Sequence, residues 1–217
     1  IFMAIESIIF DLEGVIVDTE PLWDQVSVIF LKRRNATYNR ELTKPLLMGK
    51  TLAEGVKIMQ DQYGFSGDVD EQAGERRTIA QELFSENVIF IPGFEQFYQN
   101  VLGRGLKTAV ATSLEIDFLR SMDQRLKLSE LFNNKVFSIA DVGYKSKPNP
   151  DIFLHTASQL STHPSNALVI EDAPNGVEAA RRAGMRCVAI TTSTTRERLI
   201  GANLIVDSYT EIDLGKF

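Results

Sequence analysis

Short unbroken apolar runs recur along the chain, and several end in polar or acidic residues. Ser7-Ile8-Ile9-Phe10 leads to Asp11, and Thr108-Ala109-Val110-Ala111 leads to Thr112 and Ser113. Ala167-Leu168-Val169-Ile170 leads to Glu171 and Asp172, Cys187-Val188-Ala189-Ile190 to Thr191 and Thr192, and Leu204-Ile205-Val206 to Asp207. Apolar runs without alternation predict strands buried on both faces, as in a parallel sheet. Helical spacing separates them. Val177, Ala180 and Ala183 share a face before a stop at Gly184, and Pro148 and Pro150 introduce a helix over 151–160. Strands alternating with helices predict an α/β fold with a doubly wound parallel sheet. Ligands of such sheets sit beyond the carboxyl ends of the strands, where Asp11, Thr112, Glu171 and Asp172 fall.

The stretch 21–91 reads differently. Leu22, Val26, Ile29 and Phe30 share a helical face, as do Leu52, Val56, Met59 and Tyr63; Ala73, Ala80, Leu83 and Phe84 follow a looser version. Gly64 to Gly67 marks a turn, and no buried strand is evident. This predicts a helical subdomain at 21–91, inserted into a core made of 1–20 and 92–217. Trp23 and Phe30 are expected in its apolar core, and its cations Lys50, Lys57, Arg76 and Arg77 are expected in solvent.

Bulk properties narrow the partners. The 217 residues are 44% hydrophobic and 24% charged, with a net charge of −6. That balance argues against general affinity for nucleic acid or anionic membranes. No apolar run approaches the ~18 residues of a membrane span. The apolar start is interrupted by Glu6 and lacks a basic flank, so no signal peptide is expected. The single cysteine, Cys187, sits in an apolar run and cannot form an internal disulfide, which fits a cytoplasmic protein. A monomer is the default expectation. His155 and His163 match no metal spacing and are read as structural or surface residues.

The residues at the strand ends could together handle phosphate. Phosphoryl transfer needs an in-line nucleophile, neutralised phosphate oxygens and an acid for the leaving group. Asp11 could be the nucleophile, since carboxylates form aspartyl-phosphates. Mg²⁺ takes oxygen ligands, which Asp11 and Asp172 could supply. Glu13 could protonate the leaving group, and Gly14 permits a sharp turn that lets amides face the phosphate. Lys147 would offset negative charge, and Thr112 would donate a hydroxyl. Each residue alone has a plainer reading: Asp172 as a helix cap, Lys147 as a surface lysine, Thr112-Ser113 as a cap. Their common location at one sheet edge favours the joint functional reading.

The sequence resembles the haloacid dehalogenase-like hydrolases, in particular their phosphoglycolate phosphatase and beta-phosphoglucomutase-like branch. Four ordered segments carry the resemblance: Phe10-Asp11-Leu12-Glu13-Gly14-Val15, followed by Val17-Asp18-Thr19-Glu20-Pro21; Val110-Ala111-Thr112-Ser113; Lys147-Pro148-Asn149-Pro150-Asp151; and Val169-Ile170-Glu171-Asp172-Ala173-Pro174-Asn175-Gly176. It implies a Rossmann-like core with an all-helical cap. It further implies Asp11 as nucleophile and Mg²⁺ ligand, with Asp172 as second ligand and Glu171 as ligand or supporting carboxylate. Position 13 is implied as acid/base, its backbone carbonyl binding the metal; Thr112 and Lys147 are implied as phosphate-binding, and Ser113 and Gly14 are candidates beside them.

Glu13 departs from the pattern, which has Asp there, and Ser146 stands where a glycine often precedes the lysine. The extra methylene of Glu13 matters because a misplacement of ~1 Å can cost ~100-fold in rate. The leading expectation is a Mg²⁺-dependent phosphatase of small phosphorylated metabolites. The alternatives are a sugar-phosphate mutase, whose pattern has a basic side chain where Leu52 stands, and a catalytically weak phosphate binder. Dehalogenase and phosphonatase readings rank lower.

Overall fold

The computed structural model describes residues 4–217. In chain order the elements are β1 (Ser7–Phe10), β2 (Val17–Asp18), α1 (Glu20–Lys32), α2 (Arg40–Leu47), α3 (Leu52–Tyr63), α4 (Val69–Asn87), β3 (Ile89–Phe90), α5 (Phe94–Gly103), β4 (Lys107–Thr112), α6 (Ile116–Leu126), α7 (Leu128–Leu131), β5 (Val136–Ser138), α8 (Asp151–Gln159), β6 (Ala167–Glu171), α9 (Pro174–Arg182), β7 (Arg186–Ile190) and β8 (Leu204–Val206). They form two compact units. One holds the described residues up to Asp18 together with Ile89–Phe217; the other is Thr19–Val88.

The first unit is built on a six-stranded sheet in the order β5-β4-β1-β6-β7-β8. Every pair in it is parallel. The chain builds outward from β1 through β4 to β5, then returns to β6 on the other side. This reversal creates a crevice between β1 and β6 at their carboxyl ends. The five apolar runs all form strands. Missed by the hydrophobic pattern was β5, three residues at the sheet edge whose Val136 and Phe137 are only half-buried.

Alternation along β1 buries both faces of the sheet. Ile9 joins a cluster with Ile152 and Phe153 of α8 and Val177 and Ala180 of α9. Phe10 packs on the opposite face against Phe94, Tyr98 and Phe132, with ring centroids 5.8, 6.1 and 5.9 Å away. Loss of the Phe10 ring would cost about 3–5 kcal/mol of stability. Helices on both faces hold the end of β1 rigidly, and that end carries Asp11. Cys187 is 2% exposed within the Ile9 cluster. His155 lies edge-on to Phe137, and His163 accepts from the Ser165 amide; both serve structure.

The second unit is all helical. Pro21 opens α1, where its missing N–H costs nothing. Thr51 and Glu54 form a reciprocal cap at the start of α3, and Asp68 caps α4. Val26, Phe30, Met59 and Phe84 are fully buried, and Trp23 meets Phe84 edge-on at 5.1 Å. The buried stripe of α4 is Gln72, Arg76, Ile79, Ala80 and Phe84, whereas the sequence suggested Ala73, Ala80, Leu83 and Phe84. Two polar residues on the inner face displaced the apparent apolar period. The expectation that the cap cations are solvated holds for Lys50 and Lys57 and fails for Arg76, which is 4% exposed.

The sequence showed no strand in 21–91, but β3 lies there, pairing antiparallel with β2. Val17 is opposite Phe90 and Asp18 opposite Ile89, so the chain leaves and re-enters the first unit through one two-residue ladder. Strands this short carry no readable alternation. No described helix is long and apolar enough to cross a membrane.

Candidate active site

Register brings the acidic residues together. Phe10 lies opposite Val110 on one side and Ile170 on the other, and the Asp11 amide donates to the Ile170 carbonyl at 2.9 Å. Asp11 therefore emerges between the ends of β4 and β6, level with Ala111 and Glu171 and one residue short of Thr112. Carboxylate oxygens of Asp11, Glu171 and Asp172 all lie within 4.8 Å of one another. These residues are 8%, 1% and 5% exposed.

Lys147 reaches this cluster from 136 residues away in sequence. Its ammonium, on a side chain only 7% exposed, donates to Asp11 Oδ1 at 2.5 Å, Glu171 Oε1 at 2.6 Å and the Ala111 carbonyl at 3.2 Å. The Phe153 ring lies 4.7 Å away and shields it. One cation thus faces three buried carboxylates. Burial pushes the Asp11 carboxyl up to about 7; Lys147 opposes the rise, while Glu171 and Glu13 add to it. Asp172 rises well above the carboxylate range through burial and the charges of Glu171 and Asp11. Burial opposes the charge on Lys147, but its two acid partners raise its pKa further. The centre holds a surplus of negative charge and would favour a cation.

The two oxygens of Glu171 have separate tasks. Oε1 accepts from Lys147, and Oε2 accepts from the amides of Asp172 at 2.8 Å and Ala173 at 2.9 Å. Gly176 makes room for this carboxylate: a Cβ there would lie 1.7 Å from Oε1. Gly14, at φ +71°, gives the same clearance to Asp172, whose Oδ2 would sit 2.0 Å from a Cβ. The Gly14 amide donates to the Val17 carbonyl at 2.8 Å, closing the turn after Asp11. Its observed contribution is space and shape, its own N–H being committed to that turn.

Thr112 is 1% exposed, and its Oγ1 accepts from the Leu114 amide at 3.0 Å, leaving the hydroxyl proton available. Ser113 Oγ is buried with no hydrogen-bond partner among the described residues. Glu13 is half-buried, close enough to act electrostatically on Asp11, and its carboxylate lies outside the three-residue cluster.

Sequence reasoning missed the supporting loops. Thr192 Oγ1 donates to the Gly14 carbonyl, Ser193 Oγ to the Asp172 carbonyl at 3.2 Å, and Tyr209 OH to the Val15 carbonyl at 2.8 Å. The segments after β7 and β8 thereby fasten the two acidic loops. Nothing in the sequence separates these hydroxyls from ordinary turn residues.

The first unit is thus a doubly wound α/β fold with an acidic cluster that could hold a metal ion and a buried lysine at its switch point. Residues 8–190 match the model of the haloacid dehalogenase-like hydrolase family, and the chain belongs to that family. It is 30% identical over 83% of its length to a phosphorylated carbohydrates phosphatase of Thermotoga maritima, covering 82% of that protein. It is also 30% identical over 88% of its length to the mitochondrial (DL)-glycerol-3-phosphatase 1 of Arabidopsis thaliana, spanning 65% of that relative. The fold is similar to the crystal structure of a beta-phosphoglucomutase from Clostridium difficile, with TM-score 0.74 and 25% identity, covering 98% of this chain and 95% of the other.

Proposed function

We propose that the chain is a Mg²⁺-dependent phosphatase of small phosphorylated metabolites acting through an aspartyl-phosphate on Asp11. The observation that carries this reading is the charge imbalance at the switch point: three buried carboxylates share one lysine. The donor set is all oxygen, as Mg²⁺ prefers. Asp11 and Asp172 would hold the ion, with the Glu13 backbone carbonyl; Glu171, with both oxygens engaged, would orient Lys147 and the Asp172 backbone. When bound, Mg²⁺ would neutralise the charge between the Asp11 carboxylate and the phosphate.

The chain's own groups account for the rest. Lys147 fixes Asp11 Oδ1, leaving Oδ2 to attack phosphorus in line. The Thr112 and Ser113 hydroxyls would donate to phosphate oxygens, and the Lys147 ammonium, its three donors engaged by Asp11, Glu171 and Ala111, would offset their charge electrostatically. Glu13 would give a proton to the leaving oxygen, then take one from the water that hydrolyses the aspartyl-phosphate. The Thr19–Val88 unit would act as a cap selecting the substrate. The names of the relatives support small phosphate esters as substrates, and a cytoplasmic monomer completes the reading. A sugar-phosphate mutase is the second reading, favoured by the buried cation Arg76 in the helical unit.

A phosphate-release screen over sugar phosphates, glycerol 3-phosphate, phosphoglycolate and nucleotides tests this, with Mg²⁺ and with EDTA. Activity is expected with Mg²⁺ alone, and Glu13→Asp should preserve or raise it. Turnover only with a bisphosphate activator would favour the mutase. Intact Mg²⁺ and phosphate binding without turnover of any compound would leave a binding protein.

A further inference from the structure

The turn that follows Asp11 is held from outside itself. The amides of Ile16 and Val17 donate to the Leu12 carbonyl at 2.8 and 3.0 Å, and Glu13 bridges to Val17. The carbonyls of the three residues after Glu13 are each taken by another segment of the same unit. Gly14 accepts from Thr192 Oγ1, Val15 from Tyr209 OH at 2.8 Å and Ile16 from the Ile91 amide at 2.8 Å. Val15 and Ile16 are fully buried, so no water replaces a donor lost there.

Tyr209 is itself firmly seated. It is buried, with its ring tilted against Phe97 at 5.0 Å and edge-on to Phe94 at 6.0 Å. Burial, helped by the charges of Asp172 and Asp11, keeps the phenol protonated and therefore a donor. Thr192, by contrast, is exposed, and its hydroxyl competes with water for the Gly14 carbonyl. Glu13 rides on the turn that these hydroxyls fasten, half-buried and near enough to Asp11 to act on its charge. Its side chain has one torsion more than an Asp, so the place of its carboxyl depends on how firmly the turn holds its Cα.

We infer that Tyr209 and Thr192 are positioning residues for Glu13, fixing the turn from which its carboxyl reaches the leaving group. This rests on the phosphatase reading. In the step concerned, a bond forms between Asp11 and phosphorus while the ester P–O bond breaks. The electron pair of the broken bond stays on the leaving oxygen, which takes the Glu13 proton. Neither hydroxyl enters the chemistry, since each already donates its proton to the turn.

Leaving-group dependence tests the inference. An alkoxide needs a proton as it departs, whereas 4-nitrophenolate leaves without one. kcat/KM is measured with Mg²⁺ for 4-nitrophenyl phosphate and for an alkyl phosphate that the native chain turns over, glycerol 3-phosphate first. Tyr209→Phe keeps the packed ring and loses the donor. It should lower kcat/KM about 10-fold for the alkyl ester and less than about 2-fold for the aryl ester. Thr192→Val should show the same selectivity at about 3-fold, and Thr192→Ser should restore the native value. Glu13→Gln should lose more than either, again on the alkyl ester. The exposed Thr192 pair carries the test should Tyr209→Phe not fold. Equal losses on both esters, or none, in a chain whose native form is active overturn this inference alone. No turnover of any alkyl phosphate by the native chain overturns the phosphatase reading and this inference with it.

Discussion

The sheet edge of the first unit and the interior of the second are electrostatic opposites. At the edge, Asp11, Glu171 and Asp172 are buried around Lys147 with negative charge in excess. Inside the helical unit, Arg76 is 4% exposed and its Nε has no hydrogen-bond partner among the described residues. Each arrangement is unfavourable in isolation. The first is a network whose parts hold one another; the second is a single side chain. Removing a residue should therefore hurt the first and spare the second.

The largest contrast is expected between Lys147→Met and Arg76→Met. Without its lysine the acidic cluster has no cation. Lys147→Met should lose about 3–5 kcal/mol in metal-free denaturant unfolding and nearly all phosphatase activity. Arg76→Met removes an unpaired buried charge, and in anion-free buffer its stability should be unchanged or rise by about 1–2 kcal/mol. A large loss in Arg76→Met would erase the contrast.

Next in size is Gly176→Ala. The added methyl would displace Glu171, and with it Lys147 and the Asp172 amide. Turnover should drop on the order of 100-fold, with a raised Mg²⁺ requirement, measured by phosphate release across a Mg²⁺ titration.

The last contrast is in pH dependence, where the two units should slope oppositely. Asp11 is raised by burial to about 7 in the folded chain, against ~3.9 when unfolded. The folded form then binds a proton the unfolded form has released, so metal-free stability falls as pH rises from about 4 to 7. Mg²⁺ should flatten that limb. Burial works against the charge of Asp24, but hydrogen bonds from Arg40, Lys44 and Tyr38 hold its pKa below the ordinary value. Its contribution is present above the unfolded pKa and is lost as pH falls through the depressed one. Asp24→Asn should blunt the acid limb in thermal unfolding followed across pH 2–5.

The strands and their polar ends were legible because a strand buried on both faces has no polar interruptions until it reaches the sheet edge. Asp11, Thr112, Glu171 and Asp172 could each be placed at that edge from pattern alone. Lys147 was expected to offset charge at Asp11, as it does; its direct bond there was not readable, since the loop after β5 carries no periodicity that aims a side chain. The roles of Gly14 and Gly176 were only half readable: a glycine suggests a turn, and nothing in the letters reveals the carboxylate occupying its Cβ position. Arg76 was missed for the reverse reason. A cation inside an amphipathic pattern reads as the solvent face, and its burial depends on Gly55, 21 positions earlier.

The central claim is that Asp11 takes the phosphoryl group. It is tested most directly by acid-quenching the enzyme during turnover with Mg²⁺ and mapping the modified residue by mass spectrometry, with Asp11→Asn in parallel. A single phosphoryl adduct on Asp11, absent together with turnover in Asp11→Asn, is the predicted result. Full activity in Asp11→Asn, or an adduct on another residue, would contradict the account.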